Sequence, residues 1–112
     1  MSDSDAIKHP ARLAGSIVSR GEMWGDLNGA ANLLEETRGT LLAKLLKEHF
    51  DQPAWKAEAL AKGDPRYEEH IRARVAARMA STLAKVKYDG ARALGDFERS
   101  AESTRRAEMQ LK

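Results

Sequence analysis

The sequence predicts an all-α protein: a helical hairpin with one long C-terminal helix and short accessory helices at the N-terminus, completed by oligomerisation. Three observations predict it. The chain is rich in Ala, Glu, Lys, Arg and Leu, as long helices are. Its apolar residues recur at three- and four-residue spacing, and its three prolines suit first turns of helices. At 112 residues with 5% aromatic content, a single domain has a thin core, to which oligomerisation adds burial.

The N-terminal part, residues 1–26, is predicted to contain a short helix and an irregular segment. The helix runs from about Pro10 to Ser19. The stretch after it contains Gly21 and Gly25, and glycine lowers helix propensity. We therefore expect this stretch to be irregular and to be packed down by Trp24.

Residues 27–62 are predicted to form a second and a third helix. The second runs from about Leu27 to Phe50, and the third from Pro53 to about Lys62. The apolar face of the second helix comprises Leu27, Ala31, Leu34, Leu41, Leu42, Leu45 and Leu46.

The junction before the long helix carries helix stop and start signals. Gly63 suits the position after a helix end, Asp64 is a good N-cap, and Pro65 suits the first helical position. The long helix, within residues 64–111, therefore runs from Pro65 to about Leu111.

The long helix carries a continuous apolar face, which we call the apolar row. Its members are Ile71, Val75, Met79, Leu83, Val86, Gly90, Leu94, Phe97, Ala101 and Thr104. Several recur every eleven residues, so the row runs nearly straight along a helix. Gly90 lies within it, where either another helix approaches closely or the helix kinks or breaks.

The predicted helix lengths do not match. The long helix spans about 70 Å and the second helix only about 36 Å at 1.5 Å per residue. One end of the long helix then projects with its apolar row uncovered, and an uncovered apolar row needs a partner. That partner is a second copy of the chain or a foreign molecule.

Basic side chains form a second row on the long helix, which we call the basic row. Its members are Arg74, Arg78, Lys85, Arg92, Arg99 and Arg106, most of them seven residues apart. The spacing suits contact with the phosphates of single-stranded or duplex DNA, with Tyr88 stacking on a base. The alternative is a solvated face with ion pairs to Asp89, Asp96 and Glu102.

Seven residues are predicted to form the oligomer or partner interface: Arg38, Met79, Val86, Gly90, Leu94, Phe97 and Ala101. Arg38 interrupts the apolar face of the second helix, so it either directs its charge to solvent or pairs with a carboxylate of a partner. Trp24 and Trp55 are core anchors or, if exposed, partner hot spots.

The sequence argues against several functional classes. The chain has no cysteine, no run of transmembrane length and no signal-peptide core, so we expect a soluble, cytoplasmic protein with no membrane partner. The histidines at positions 9, 49 and 70 lack ligand spacing, which argues against a metal site. Without a nucleophile or phosphate-loop motif, we expect neither an enzyme nor a cofactor.

The stretches "DPRYEEHIRARV" (64–75) and "FERSAESTRRAEMQL" (97–111) resemble a group of small phage- and prophage-encoded helical-hairpin proteins. The matching positions are Pro65, Tyr67, Glu69, Phe97, Thr104, Arg105, Arg106, Glu108 and Met109. The resemblance covers residues 64–111 and implies a phage-linked, helical-hairpin, non-enzymatic role beside DNA recombination or replication functions. It assigns no active site.

The leading functional hypothesis is a non-enzymatic phage or prophage accessory protein that self-associates and binds a macromolecular partner, in DNA recombination or replication inside a host cell. The alternative is a protein-directed factor, either an inhibitor of a host or defence protein or a virion assembly adaptor.

Overall fold

The computed structural model describes residues 10–111, which contain three α-helices and no strand. We label the helices α1 (Pro10–Lys47), α2 (Ala54–Lys62) and α3 (Pro65–Leu111). The all-α class and the long C-terminal helix are therefore confirmed. None of the helices in this part of the chain is both long enough and apolar enough to span a lipid bilayer.

The irregular segment predicted around Gly21 and Gly25 is wrong, because α1 continues through both glycines as one 38-residue helix. The part of that prediction at residues 1–9 lies outside the described residues. Glycine lowers helix stability by about 1 kcal/mol, whereas the packing of a helix face contributes more over several turns. Tertiary contacts along α1 therefore outweigh the local propensity that suggested a break.

The described residues divide into two units. The first contains α1 up to Gly25 together with α3 from Thr82 onward, and the second contains Asp26–Ser81. Each unit thus pairs a segment of α1 with a segment of α3, and the second also includes α2.

The core of the second unit surrounds Leu45, whose side chain is 1% exposed. Leu45 packs with Ala61 of α2 and Tyr67 of α3, and the surrounding side chains are Leu41, Leu42, Leu46 and Ile71. Nearby, Nε2 of His70 lies 2.9 Å from the carbonyl oxygen of Leu34, which can only accept, so the ring nitrogen donates. Apolar burial and this cross-helix bond set α3 against α1 within the unit.

The first unit is packed with smaller side chains and one aromatic pair. Leu13, Ala84 and Ala91 are buried. Trp24 stacks on Tyr88 with ring centroids 5.8 Å apart and an interplanar angle of 18°. Trp24 therefore anchors its segment of α1, as the sequence predicted.

Asp64 caps α3 as expected. One carboxylate oxygen of Asp64 accepts a hydrogen bond of 2.8 Å from the backbone N–H of Arg66, the second helical residue. The Arg66 guanidinium also donates to Asp64 and to Glu48, which follows the last residue of α1. Gly63 ends α2 with φ of −83°, outside the left-handed region that glycine commonly adopts after a helix end.

This three-residue cluster predicts a dependence of stability on pH. Hydrogen bonds from Arg66 lower the pKa of Asp64 and of Glu48 below their usual range. The unfolded chain therefore binds more protons at acid pH, so the stabilisation present above about pH 4 declines as pH falls through and below that value.

We expect melting temperature, followed by circular dichroism, to fall between pH 5 and pH 2, and Arg66→Met to make that fall shallower. Arg72→Met is the control, because Arg72 pairs with Glu68, on its own helix. Equal acid sensitivity of wild type and Arg66→Met contradicts the assignment.

Candidate interaction surface

The most prominent surface feature is the apolar row of α3, because large members of it remain exposed to solvent. In the second unit these are Val75 and Met79. In the first unit Leu83 is 56% exposed, Val86 63% and Phe97 67%. Gly90 and Ala93 are exposed on the same face, while Leu94 and Ala101 are half-buried. An exposed row of large apolar side chains is typical of an interaction surface.

The row stays exposed because α1 packs on a different face of α3. The buried and half-buried positions of α3 include Tyr67, Arg74, Ser81, Tyr88 and Gly95, which recur every seven residues. A seven-residue repeat drifts slowly around a helix, whereas the apolar row, with its eleven-residue spacing, runs nearly straight. The helix therefore carries two faces. One is occupied by α1, and on the other Ile71, Leu94 and Ala101 are partly covered while the large side chains of Val86 and Phe97 stay exposed.

The signal for the occupied face was present in α1. Leu13, Leu27, Leu34 and Leu41 follow a seven-residue pattern with Arg20, and all five are buried or half-buried. The pattern of large apolar residues in α3 does not indicate the face that packs on α1, because on α3 that face consists mainly of small and polar side chains.

The predicted length mismatch is largely removed. It assumed that the helix beginning near Leu27 was the only long neighbour, whereas α1 has 38 residues and spans about 57 Å. The part of the mismatch that remains lies at the C-terminal end of α3, where every residue from Glu102 to Leu111 is exposed. The uncovered apolar surface thus results from the choice of face more than from the difference in length.

Several side chains of the basic row already have partners within their own unit. In the second unit, Arg78 donates through Nη1 to Asn28 at 2.9 Å and through Nη2 to Asn32 at 2.8 Å. Its Nε donates to Glu35 at 3.1 Å. Arg74 is half-buried. These two arginines therefore serve the packing of the unit.

The basic residues of the first unit lie beside aromatic rings or carboxylates. The Lys85 ammonium is 5.9 Å from the Trp24 ring centroid, and the Arg92 guanidinium is 5.6 Å from that of Tyr88. Asp96 forms its ion pair with Arg99. The sequence predicted that Asp96 would pair with Arg92 instead. Tyr88, suggested for base stacking, is occupied by Trp24.

Arg106 forms the ion pair with Glu102 that the sequence predicted, with N and O atoms 2.8 Å apart. Arg99 and Arg106 are nevertheless largely exposed. They are the members of the basic row whose positions best suit contact with an external anion.

Two further predicted residues lie on the surface of the second unit. Arg38 is exposed and forms no ion pair with another residue among those described. Trp55 on α2 is 73% exposed, and Phe50, in the preceding turn, is also exposed. Trp55 is thus not a core anchor, and its exposure favours the hot-spot alternative.

Within residues 10–111, no group of three or more metal-ligating side chains is arranged to hold an ion. His49 and His70 belong to no such group, and His9 lies outside these residues. A shallow cleft of about 210 Å³ in the first unit has Leu13, Ile17 and Gly95 in its apolar lining, with Glu98 and Glu102 among its polar residues.

The chain matches no protein-family model, no curated protein and no solved structure in the comparisons made. Three exposed features of the described residues suit contact with another molecule: the apolar row, the aromatic residues near α2 and the exposed part of the basic row. Of these, the apolar row has five exposed large apolar side chains, and burial of apolar surface supplies most of the free energy of protein association.

Proposed function

We propose that this chain is a non-enzymatic accessory protein that self-associates through the apolar row and in that state binds a macromolecular partner. The observation that carries the proposal is the exposure of Leu83, Val86 and Phe97 on a helix whose other face already packs on α1. Burying large apolar side chains between copies stabilises an assembly by about 25 cal/mol per Å² before the cost of association.

The partner that these surfaces favour is a protein. Trp55 and Phe50 are exposed aromatic side chains, and aromatic residues are enriched at protein interfaces. Most of the basic row is engaged within the chain, which favours a protein-directed adaptor or inhibitor over a nucleic-acid contact. The resemblance of residues 64–111 to phage and prophage helical-hairpin proteins supports a phage-linked setting inside a host cell.

Nucleic-acid binding is the second candidate, favoured by the outward positions of Arg99 and Arg106. Each of them is offset by an acidic neighbour, so the local charge excess is small. If this candidate is right, labelled single-stranded or duplex DNA binds with a steep salt dependence, and Arg99→Ala with Arg106→Ala lowers the slope by about two. No binding at low salt excludes it.

The self-association proposal is tested with Val86→Glu. Wild-type protein is expected to exceed its monomer mass of 12.4 kDa in light scattering. The variant is expected to weaken association about tenfold or more, because a carboxylate at an apolar contact is desolvated without a partner. Its helix content and melting temperature at low concentration are expected to stay close to wild type, since Val86 is exposed within the chain.

Met23→Glu is the matched control, since Met23 is similarly exposed but lies on α1. We expect it to leave association unchanged. A wild-type protein that is monomeric at every concentration, or equal loss of association in both variants, contradicts the role given to the apolar row.

A further inference from the structure

We propose that two copies of this chain pair in antiparallel orientation through the first-unit part of the apolar row, with Gly90 and Ala93 at the point where the two α3 helices cross. This inference rests on the proposed self-association and adds its direction and register. The residues that carry it are Leu83, Val86, Gly90, Ala93 and Phe97, all exposed and all within the first unit.

The sizes of the side chains complement each other in one antiparallel register. When Val86 lies opposite Phe97 of the second copy, Gly90 lies opposite Ala93 of the second copy. Large residues then meet at both ends of the contact, and the two smallest meet at its centre. A Cβ added at Gly90 would meet no atom of its own chain within 4 Å. Gly90 is therefore not required by packing within the chain, whereas a close helix crossing does require a small residue there.

Charge supports the same register along one edge of the row. On this edge, Lys87 comes within about 3 Å, measured along the helix axis, of the level of Glu98 of the second copy. Two-fold symmetry repeats this pairing, so the contact has two pairings of opposite charge. On the other edge, Asp96 of the second copy comes equally close to the levels of Lys85 and of Asp89, so opposite and like charges offset each other there. Lys87 is exposed and Glu98 is half-buried.

Engineered cysteines test the direction directly, because the chain has none of its own. The variants Val86→Cys and Phe97→Cys are purified separately, mixed and oxidised mildly. We expect a mixed disulfide between the two, identified by its mass. Each variant alone is expected to give little product, because identical positions lie about 16 Å apart in this register, beyond disulfide reach. A disulfide between two Val86→Cys chains indicates parallel pairing and overturns the proposal.

Charge reversal gives a second readout that keeps the apolar row intact. We expect Lys87→Glu to raise the dimer dissociation constant about threefold to tenfold by placing like charges together. The double variant Lys87→Glu with Glu98→Lys is expected to return it to within about twofold of wild type, because opposite charges again face each other. Failure of the second change to rescue the first overturns the register.

Replacement of Gly90 separates the crossing point from the fold. Gly90→Leu is expected to weaken the dimer at least about tenfold through overpacking at the crossing while leaving the chain folded. Gly25→Leu is the control, because Gly25 also has open space around it and lies on α1. Equal dimerisation of both variants overturns the crossing point.

The outcomes distinguish this inference from the proposed function. A monomeric wild type contradicts self-association itself. A wild-type dimer that fails to form the mixed disulfide and shows no charge rescue leaves self-association in place and overturns only the antiparallel register.

Discussion

Replacing Leu45 by alanine is expected to lower the free energy of unfolding by about 2–5 kcal/mol, the largest effect of any single truncation in the second unit. Leu45 is almost completely buried between Ala61 and Tyr67. Its truncation removes apolar contacts from all three helices of this unit and leaves a cavity that helices in regular packing fill only in part. Since a domain of this size is stabilised by only about 5–15 kcal/mol, the loss is a large share of the total.

The measurement is urea unfolding followed by helical circular dichroism, at a single protein concentration because association adds to apparent stability. Leu33→Ala is the control, since Leu33 lies on the same helix and is 60% exposed. We expect its effect to stay within about 0.5 kcal/mol. Similar losses for both variants would contradict the core assigned to Leu45.

Alanine at Gly21 and alanine at Gly25 are expected to change stability in opposite directions. A Cβ at Gly21 would lie 2.9 Å from Cε2 of Tyr88, which is closer than carbon atoms pack. The Tyr88 ring is stacked on Trp24 and cannot withdraw without disturbing that contact. We expect Gly21→Ala to destabilise the chain by about 1–3 kcal/mol through overpacking.

At Gly25 an added Cβ meets no atom within 4 Å, so only the helix propensity changes. We expect Gly25→Ala to stabilise the chain by about 0.5–1 kcal/mol. The pair is compared by thermal and urea unfolding. In a Tyr88→Ala background Gly21→Ala is expected to become stabilising, because the obstructing ring is gone. A destabilising effect that persists there would show that Tyr88 is not the cause.

Gly21 and Gly25 show which part of the fold could not be predicted from the sequence. Helix propensity is a property of neighbouring residues, and by that measure the stretch around Gly21 and Gly25 is a poor helix. The requirement for glycine at position 21 comes from Tyr88, 67 residues further along the chain. No local pattern contains that contact, so the sequence indicated a break where the structure has α1 in close contact with the Tyr88 ring of α3.

The candidate interaction surface also has features that the sequence predicted and features that it did not. The apolar row of α3 was visible in the sequence, because three- and four-residue spacing of large side chains is a local pattern. Its exposure was not visible, since the face that packs on α1 is made of residues such as Ser81, Ala84 and Ala91, which carry little hydropathic signal. The basic row was also visible, but the partners of Arg78 lie on α1 and depend on the register between the helices.

By itself the sequence determined the all-α class, the start of α3 at Pro65 with its Asp64 cap, and the positions that share a helix face. Each of these follows from interactions over a few residues, which the order of the amino acids specifies directly. Only the tertiary structure decided that α1 is continuous, that α3 meets it through small side chains, and that Val86 and Phe97 are left exposed. Those outcomes depend on which of two competing faces gains more from packing, and side-chain shape across distant segments sets that balance.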